Sequence, residues 1–254
     1  MSAKARAIFL RELRSWFTTP LFYVLCSAFL LLSAFFFFSL ILQFNAVLQQ
    51  SSIVPETTTS LNEWVILPLL ETLEIVLVFL IPVVTMRLLA EERRTGTFEL
   101  LKTSPLSASE IVAGKYFALL VVLAVTVLLS AVFPASLVIF SDPEVAPILV
   151  GYAGLLLFAA AFGAIGLFVS SLCSNQTISG VLSLVVFLVL YLIDTPAEKI
   201  GGTFGRMVRY LTPASHTESF VRGVLQGDDI FYFISLIFVG VFLAARALEF
   251  ERLR

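Results

Sequence analysis

"LFYVLCSAFLLLSAFFFFSLILQF", Leu21 to Phe44, is a run of 24 residues without one formal charge. At a rise of about 1.5 Å per residue, a helix of that length covers the roughly 30 Å hydrocarbon core of a bilayer. Its apolar residues follow one another instead of alternating with polar ones, which suits a membrane-spanning helix and not a barrel strand. The run is too long for the apolar core of a signal peptide and lacks a small-x-small cleavage site. It is therefore expected to remain in the chain as a first span.

The same texture recurs outward from this run. Of the 254 residues, 59% are hydrophobic and 13% charged, where a soluble domain is nearer half apolar and a quarter charged. Mean hydropathy is +1.01. The sequence predicts an all-α membrane protein, a single domain over residues 1–254, with six spans at about 21–44, 65–88, 112–134, 146–170, 177–193 and 230–247. The fifth is short, which calls for less tilt than the others or for extension into the loop that follows, residues 194–229.

Basic residues set the orientation, because short cytoplasmic loops accumulate Lys and Arg. Lys4, Arg6, Arg11 and Arg14 precede the first span; Arg87, Arg93, Arg94, Lys102 and Lys115 surround the second loop; Arg246, Arg252 and Arg254 follow the last span. The other side holds only Lys199, Arg206, Arg209 and Arg222, all in the long fifth loop, and long loops translocate with little regard to charge. Both termini are thus expected in the cytoplasm. Cys26 and Cys173 fall near span ends on that reducing side and read as small packing residues.

Before the first span, Phe9, Leu13, Trp16 and Phe17 share one helical face and Lys4, Arg11 and Arg14 the other. A helix so divided, over residues 1–20, is expected to lie along the inner leaflet with its basic face towards anionic headgroups. Pro20 then turns the chain into the membrane.

The most charged stretch, residues 91–107, lies between the second and third spans. Glu91, Glu92, Arg93 and Arg94 are expected to continue the second span as a polar helix, and Gly96 to break it. Thr97 caps a new short helix in which Phe98 and Leu101 share a face, with Leu100 beside them and Glu99 and Lys102 on the polar side. Ser104-Pro105 stops that helix, and Ser107-x-x-Glu110 is a capping box that starts the third span. A helix of under two turns between two breaks needs a partner surface. Periodicity leaves two surfaces open: the protein's own membrane face, or a groove on a cytosolic protein that receives Phe98, Leu100 and Leu101.

"IPVVTMRLLAEERRTGTFELLKTSPLSASEIVAGKYFA" (81–118), "GYAGLLLFAAAFGAIGLFVSSLCSNQTISGV" (151–181) and "SHTESFVRGVLQGDDIFYFISLIFVGVFL" (215–243) resemble, in order, the ABC-2 type permeases, and in particular their gliding-motility-type branch. These are membrane subunits of ABC exporters. The resemblance implies that Glu91, Glu92, Arg93, Gly96, Thr97, Phe98, Glu99, Leu100, Leu101, Ser104 and Pro105 form a coupling helix seated in a cleft of a separate ABC ATPase. It also implies a second permease copy or a related permease, a bacterial cytoplasmic membrane, and a companion membrane protein with a large external domain. ATP and Mg would be bound by the partner ATPase, with no cofactor in this chain. The absence of a G-x-x-x-x-G-K-[ST] cradle from the sequence accords with that division of labour.

Other residues invite weighing. Glu71 and Glu74, at i, i+3 in the second span near its outer end, are candidates for a conduit, or simply face the bundle interior. Gly151, Gly154, Gly163 and Gly166 permit close helix approach within the subunit or across a dimer seam. Ser215-x-x-Glu218 reads as a second capping box whose helix ends at Gly227, with Phe220, Val221, Val224 and Leu225 forming an apolar side at the outer interface. His216, the sole histidine, reads as a structural hydrogen-bonder with no second His or Cys beside it to complete a metal site.

The function this predicts is a non-catalytic permease that moves substrate out of the cytoplasm or inner leaflet. The alternative of a stand-alone secondary transporter or channel predicts internal repeats and midplane charge pairs, which the sequence does not display. A membrane enzyme would need a nucleophile and base or clustered ligands at membrane depth. Nucleic acid is not a fitting partner for so apolar a chain.

Overall fold

The computed structural model describes residues 3–50, 60–90, 96, 106–141, 143–194 and 202–252, and every regular element among them is helical. In chain order these are α1 (Ala3–Thr18), α2 (Pro20–Gln50), α3 (Leu67–Thr85) opened by a π-helical turn over Asn62–Ile66, α4 (Ala108–Ser130), α5 (Val132–Phe140), α6 (Val145–Leu172), α7 (Gln176–Leu192), α8 (Gly202–Tyr210), α9 (Pro213–Val221) and α10 (Gly227–Arg252). Among the described residues five stretches are long and apolar enough to cross a membrane: Pro20–Gln49, Asn62–Thr85, Ala108–Ile139, Val145–Leu172 and Gly227–Glu251. The remaining apolar helix, α7, has 17 residues, below the roughly 20 that a span ordinarily needs.

α6 is the post around which the rest is arranged, packing against α3, α4, α7, α9 and α10. Its apolar window is 72% buried, against 22% for α2 and 17% for α10, so the first and last long helices present most of their surface outward. Phe35, Phe38 and Leu42 on α2 and Phe231, Phe238 and Phe242 on α10 are exposed, as a lipid-facing surface requires.

Small residues let the neighbours reach α6. A Cβ built on Gly151 would stand 2.3 Å from the Leu70 side chain of α3, one on Gly154 2.5 Å from Phe220 Cβ of α9, and one on Gly166 2.5 Å from Thr85 Oγ1 of α3. Gly163 faces Leu119 and Leu123 of α4. From the opposite side, Gly240 of α10 comes against the Ala164 backbone. All four glycines of α6 therefore serve packing inside this subunit. Within that core Phe158 stacks on Phe162 at 4.2 Å, and Phe187 of α7 meets Phe162 edge-on at 4.8 Å.

Helix ends follow local chemistry in most places. The Ser107 capping box forms as predicted: Glu110 N donates to Ser107 Oγ at 3.2 Å and Ser107 N to Glu110 Oε2 at 3.1 Å. Asn175 caps α7 through a bond from Thr177 N at 2.8 Å. The predicted third span is interrupted at Ala131, because Pro134 has no N–H to donate back into α4.

Three expectations need correction. The second span does not run on as helix through Arg87: α3 ends at Thr85, and Leu89 N and Ala90 N donate to Ser170 Oγ of α6, at 3.2 and 3.3 Å, instead of to carbonyls one turn back. The Ser215 capping box does not form. Pro213 at the first helical position starts α9 earlier, so Ser215 already lies in its first turn and donates to Arg209 O at 2.7 Å and Thr212 O at 2.8 Å. Gly223, at φ 79°, terminates that helix, and Gly227 begins α10. Accordingly Phe220 and Val221 are buried against the bundle while Val224 and Leu225 lie exposed beyond the helix, so these four residues form no common outward face.

Placing a methyl at Gly154 forces Phe220 Cβ, which is anchored to its own backbone, to give way. Gly154→Ala is expected to destabilise the chain by about 1–3 kcal/mol, read as a lower thermal-unfolding midpoint in detergent. Gly227→Ala, which meets nothing within 4 Å, serves as the comparison and is expected to leave the midpoint in place.

Candidate functional site

The polar segment between the second and third spans has two roots, and both are clasped by other elements. Of residues 91–105 only Gly96 is described; it is exposed and sits at φ 71°, a left-handed conformation that L side chains rarely adopt. That geometry agrees with a chain break at Gly96. Glu91, Glu92, Arg93, Thr97, Phe98, Glu99, Leu100, Leu101, Ser104 and Pro105 lie outside the described residues.

At the entering root, the Ser170 hydroxyl gathers Leu89 N and Ala90 N, and the Arg87 guanidinium stands 5.8 Å from the ring centroid of Trp16 on α1, within cation–π reach. At the leaving root, Lys115 of α4 is almost completely buried, with 1% of its side chain exposed, and donates to Glu12 Oε1 of α1 at 3.0 Å. Arg11 donates to the same carboxylate oxygen at 2.9 Å. Glu12, Ser15, Trp16 and Thr19 share a small cavity with Arg87 and Leu88, so α1 bridges both roots.

Why α1 docks there follows from its pattern. Ala5, Ile8 and Trp16 are buried, and Glu12 falls on the same stripe, at spacings of three and four that put them on one helical face. Gly114 of α4 lets that stripe in: a Cβ there would stand 2.8 Å from Ile8 Cβ and 2.9 Å from Ala5 O. Of the predicted apolar face, Trp16 is buried and Phe9, Leu13 and Phe17 are half-buried, the most closely packed stripe facing the protein's own α4. Lys4, Arg11 and Arg14 are exposed, as expected.

Sequence reasoning counted Lys115 as one more basic loop residue and passed over Glu12. The available signal was that Glu12 is the one acid in the otherwise basic and apolar α1.

A second polar cluster lies at the other end of the bundle. Glu74 of α3 is buried and accepts a hydrogen bond from Thr217 Oγ1 of α9 at 3.1 Å; Glu71, one turn earlier, is exposed. Beside them His216 bonds Asp229 of α10 through Nδ1 at 2.6 Å and the Tyr210 carbonyl through Nε2 at 2.9 Å. Ser219 donates to the other Asp229 oxygen and does not bond the ring, so these residues are not in the order of a nucleophilic triad. The structural reading of His216 matches its surroundings.

A family model described as "ABC-2 family transporter protein" matches residues 72–248. No curated protein matches the chain.

Burial alone raises the Glu12 pKa, but the Lys115 ammonium and Arg11 guanidinium outweigh it and bring it below its ordinary 4.5. A carboxylate depressed in the folded state contributes stability above its unfolded pKa and loses it as pH falls through the folded one. Glu12→Gln, which leaves Lys115 buried without that counter-charge, is expected to cost roughly 2–4 kcal/mol at neutral pH, the lower side of a fully buried pair because Glu12 keeps 15% exposure. Glu12→Gln/Lys115→Met should recover most of the loss and make the fall of the melting midpoint on acidification below 4.5 shallower, as scanning calorimetry across pH would show.

Proposed function

The chain belongs to the ABC-2 family of transporter proteins, and from that premise we propose that residues 91–107 are the coupling segment through which a separate ATPase drives export. As a member of that family it is a multi-pass membrane permease, not catalytic by itself, working beside an ABC ATPase and in a dimeric arrangement. The observation that carries the finer reading is the clasping of the segment's two roots. Arg87 and Lys115, which bracket it in sequence, are both held by α1, and Leu89 and Ala90 by α6, the most buried long helix. A push delivered to a segment so rooted reaches the central post and not a slack loop.

In this reading ATP and Mg sit in the partner ATPase, whose closure moves the spans only through contacts that differ between its two states. Phe98, Leu100 and Leu101 are the apolar anchors of that contact, flanked by Glu91, Glu92, Arg93, Gly96, Thr97, Glu99, Ser104 and Pro105. α7 serves as a short sixth span, the termini face the cytoplasm of a bacterial cell, and α1 rests at the inner leaflet with its exposed Lys4, Arg11 and Arg14 towards anionic lipid. Substrate passes outward from the cytoplasm or inner leaflet, with Glu71 on the conduit wall and Glu74 behind it holding α9. The second permease is another copy or a related chain. Likeness to the gliding-motility-type branch adds a companion membrane protein with a large external domain.

Affinity purification of the tagged permease from its own cells should recover a P-loop ATPase, identified by mass spectrometry. Phe98→Asp or Leu101→Asp is expected to lower that recovery roughly tenfold or more, the cost of one buried anchor, while membrane insertion stays as in the parent. Unchanged recovery would sink the assignment of the segment.

A further inference from the structure

One cation of α1 stands on the wrong side of its helix. Lys4, Arg11 and Arg14 lie on the far side from Phe9, whereas Arg6, Phe9, Leu10, Leu13 and Phe17 follow i, i+3, i+4, i+7 and i+11, the spacing of a single helical face. Arg6 is exposed, and among the described residues its side chain makes no ion pair or hydrogen bond. Glu12, the one acid of α1, is engaged by Lys115 and Arg11.

Beside this cation lies an open groove. Phe9 of α1 and Phe117, Leu120, Val121 and Ala124 of α4 line a space of about 370 Å³ that is apolar throughout. Phe117 is exposed and the other four are half-buried, so the groove faces outward from the bundle. The α4 residues fall at i, i+3, i+4 and i+7 and form one stripe, about 10 Å long at a rise of about 1.5 Å per residue. That stripe starts one turn beyond Gly114, where Ala5 and Ile8 of α1 press on α4, and ends at Ala124, its smallest side chain. It therefore runs from the α1 crossing into the apolar stretch Ala108–Ile139.

Charge and shape together select an occupant. Phe9 forms one wall of the groove, and Arg6, one turn before it on the same side of α1, is within reach of the groove's mouth. A guanidinium on the apolar side of a helix at a membrane is costly unless an anion meets it. A narrow apolar slot with a cation at its mouth fits a molecule that carries a hydrocarbon chain below a negative head.

We propose that this groove seats one acyl chain of an anionic phospholipid, with the lipid phosphate on Arg6. The assignment rests on α1 lying at the inner leaflet, as in the function proposed above. Because the same helix holds Lys115 and Arg87, a lipid seated here braces the joint at both roots of residues 91–107.

The test is native mass spectrometry of the full chain, delipidated in detergent and titrated with phosphatidylglycerol or with phosphatidylcholine of identical chains. Phosphatidylglycerol is expected to bind roughly fivefold more tightly, about what one basic residue contributes against an anionic membrane surface. Arg6→Gln should bring it to the phosphatidylcholine level, while Arg14→Gln, which removes an equal charge from the far side of α1, should keep the preference. Ala124→Trp, which fills the far end of the groove, should weaken both lipids. A photoreactive group at the end of the phosphatidylglycerol chain should label α4 around Ala124. The depth of α1 is read separately, from a nitroxide on exposed Leu10→Cys in nanodiscs, in a chain with Cys26 and Cys173 replaced by Ala. With that nitroxide at headgroup depth, equal binding of the two lipids, a preference untouched by Arg6→Gln, or label recovered only on other helices or on a second copy of the chain would overturn the lipid site and leave α1 at the leaflet. A nitroxide in bulk water would overturn both.

Discussion

The bundle depends on how closely other helices approach α6. In hydrocarbon there is no hydrophobic drive to press two apolar helices together, so association rests on dispersion contacts, which fall away within an ångström of optimal distance. Glycine at 151, 154, 163 and 166 removes the side chains that would hold α3, α4 and α9 off. Gly240 does the same for α10 from its own side. α2, which packs on α1, α3 and α4 instead of on α6, presents most of its surface outward.

Polar groups mark the two ends of this post. A buried charge or hydroxyl in a low-dielectric interior must find a partner, and those partners lie on elements far apart in sequence: Lys115 with Glu12, Ser170 with the amides after α3, Glu74 with Thr217, His216 with Asp229. The first two pairs bind the roots of the polar segment, and the last two bind α9 to the opposite end. Between them lies the aromatic stack of Phe158, Phe162 and Phe187. A stiff centre with an ion-paired clasp at one end and a hydrogen-bonded clasp at the other is suited to passing a displacement along its length.

α1 shows how a basic N-terminal helix becomes part of such a device. Its basic residues are exposed, Arg11 reaching back to Glu12, while Glu12 and Trp16, one turn apart, meet Lys115 and Arg87 on the two flanks of the segment. One short helix thereby ties the chain that leaves α3 to the chain that begins α4.

What the sequence determined by itself is whatever depends on neighbours in the chain. The apolar runs, the Ser107 capping box, the break at Gly96 and the small residues of α6 are local facts, decided by hydrocarbon thickness, by hydrogen-bond reach across three residues and by the size of one side chain. The family likeness was also legible, in three stretches of matching order. Tertiary structure decided the rest. Ser170 intercepts the amides that would have prolonged α3, α4 selects Ala5, Ile8 and Trp16 over Phe9 and Leu13 as the buried face of α1, and Pro213 outranks Ser215 in starting α9. Glu12 with Lys115, and His216 with Asp229, became pairs only when folding brought them together. Pairing of this kind is set by distance in space, and a linear pattern of residue types carries no record of which distant partner a buried group will meet.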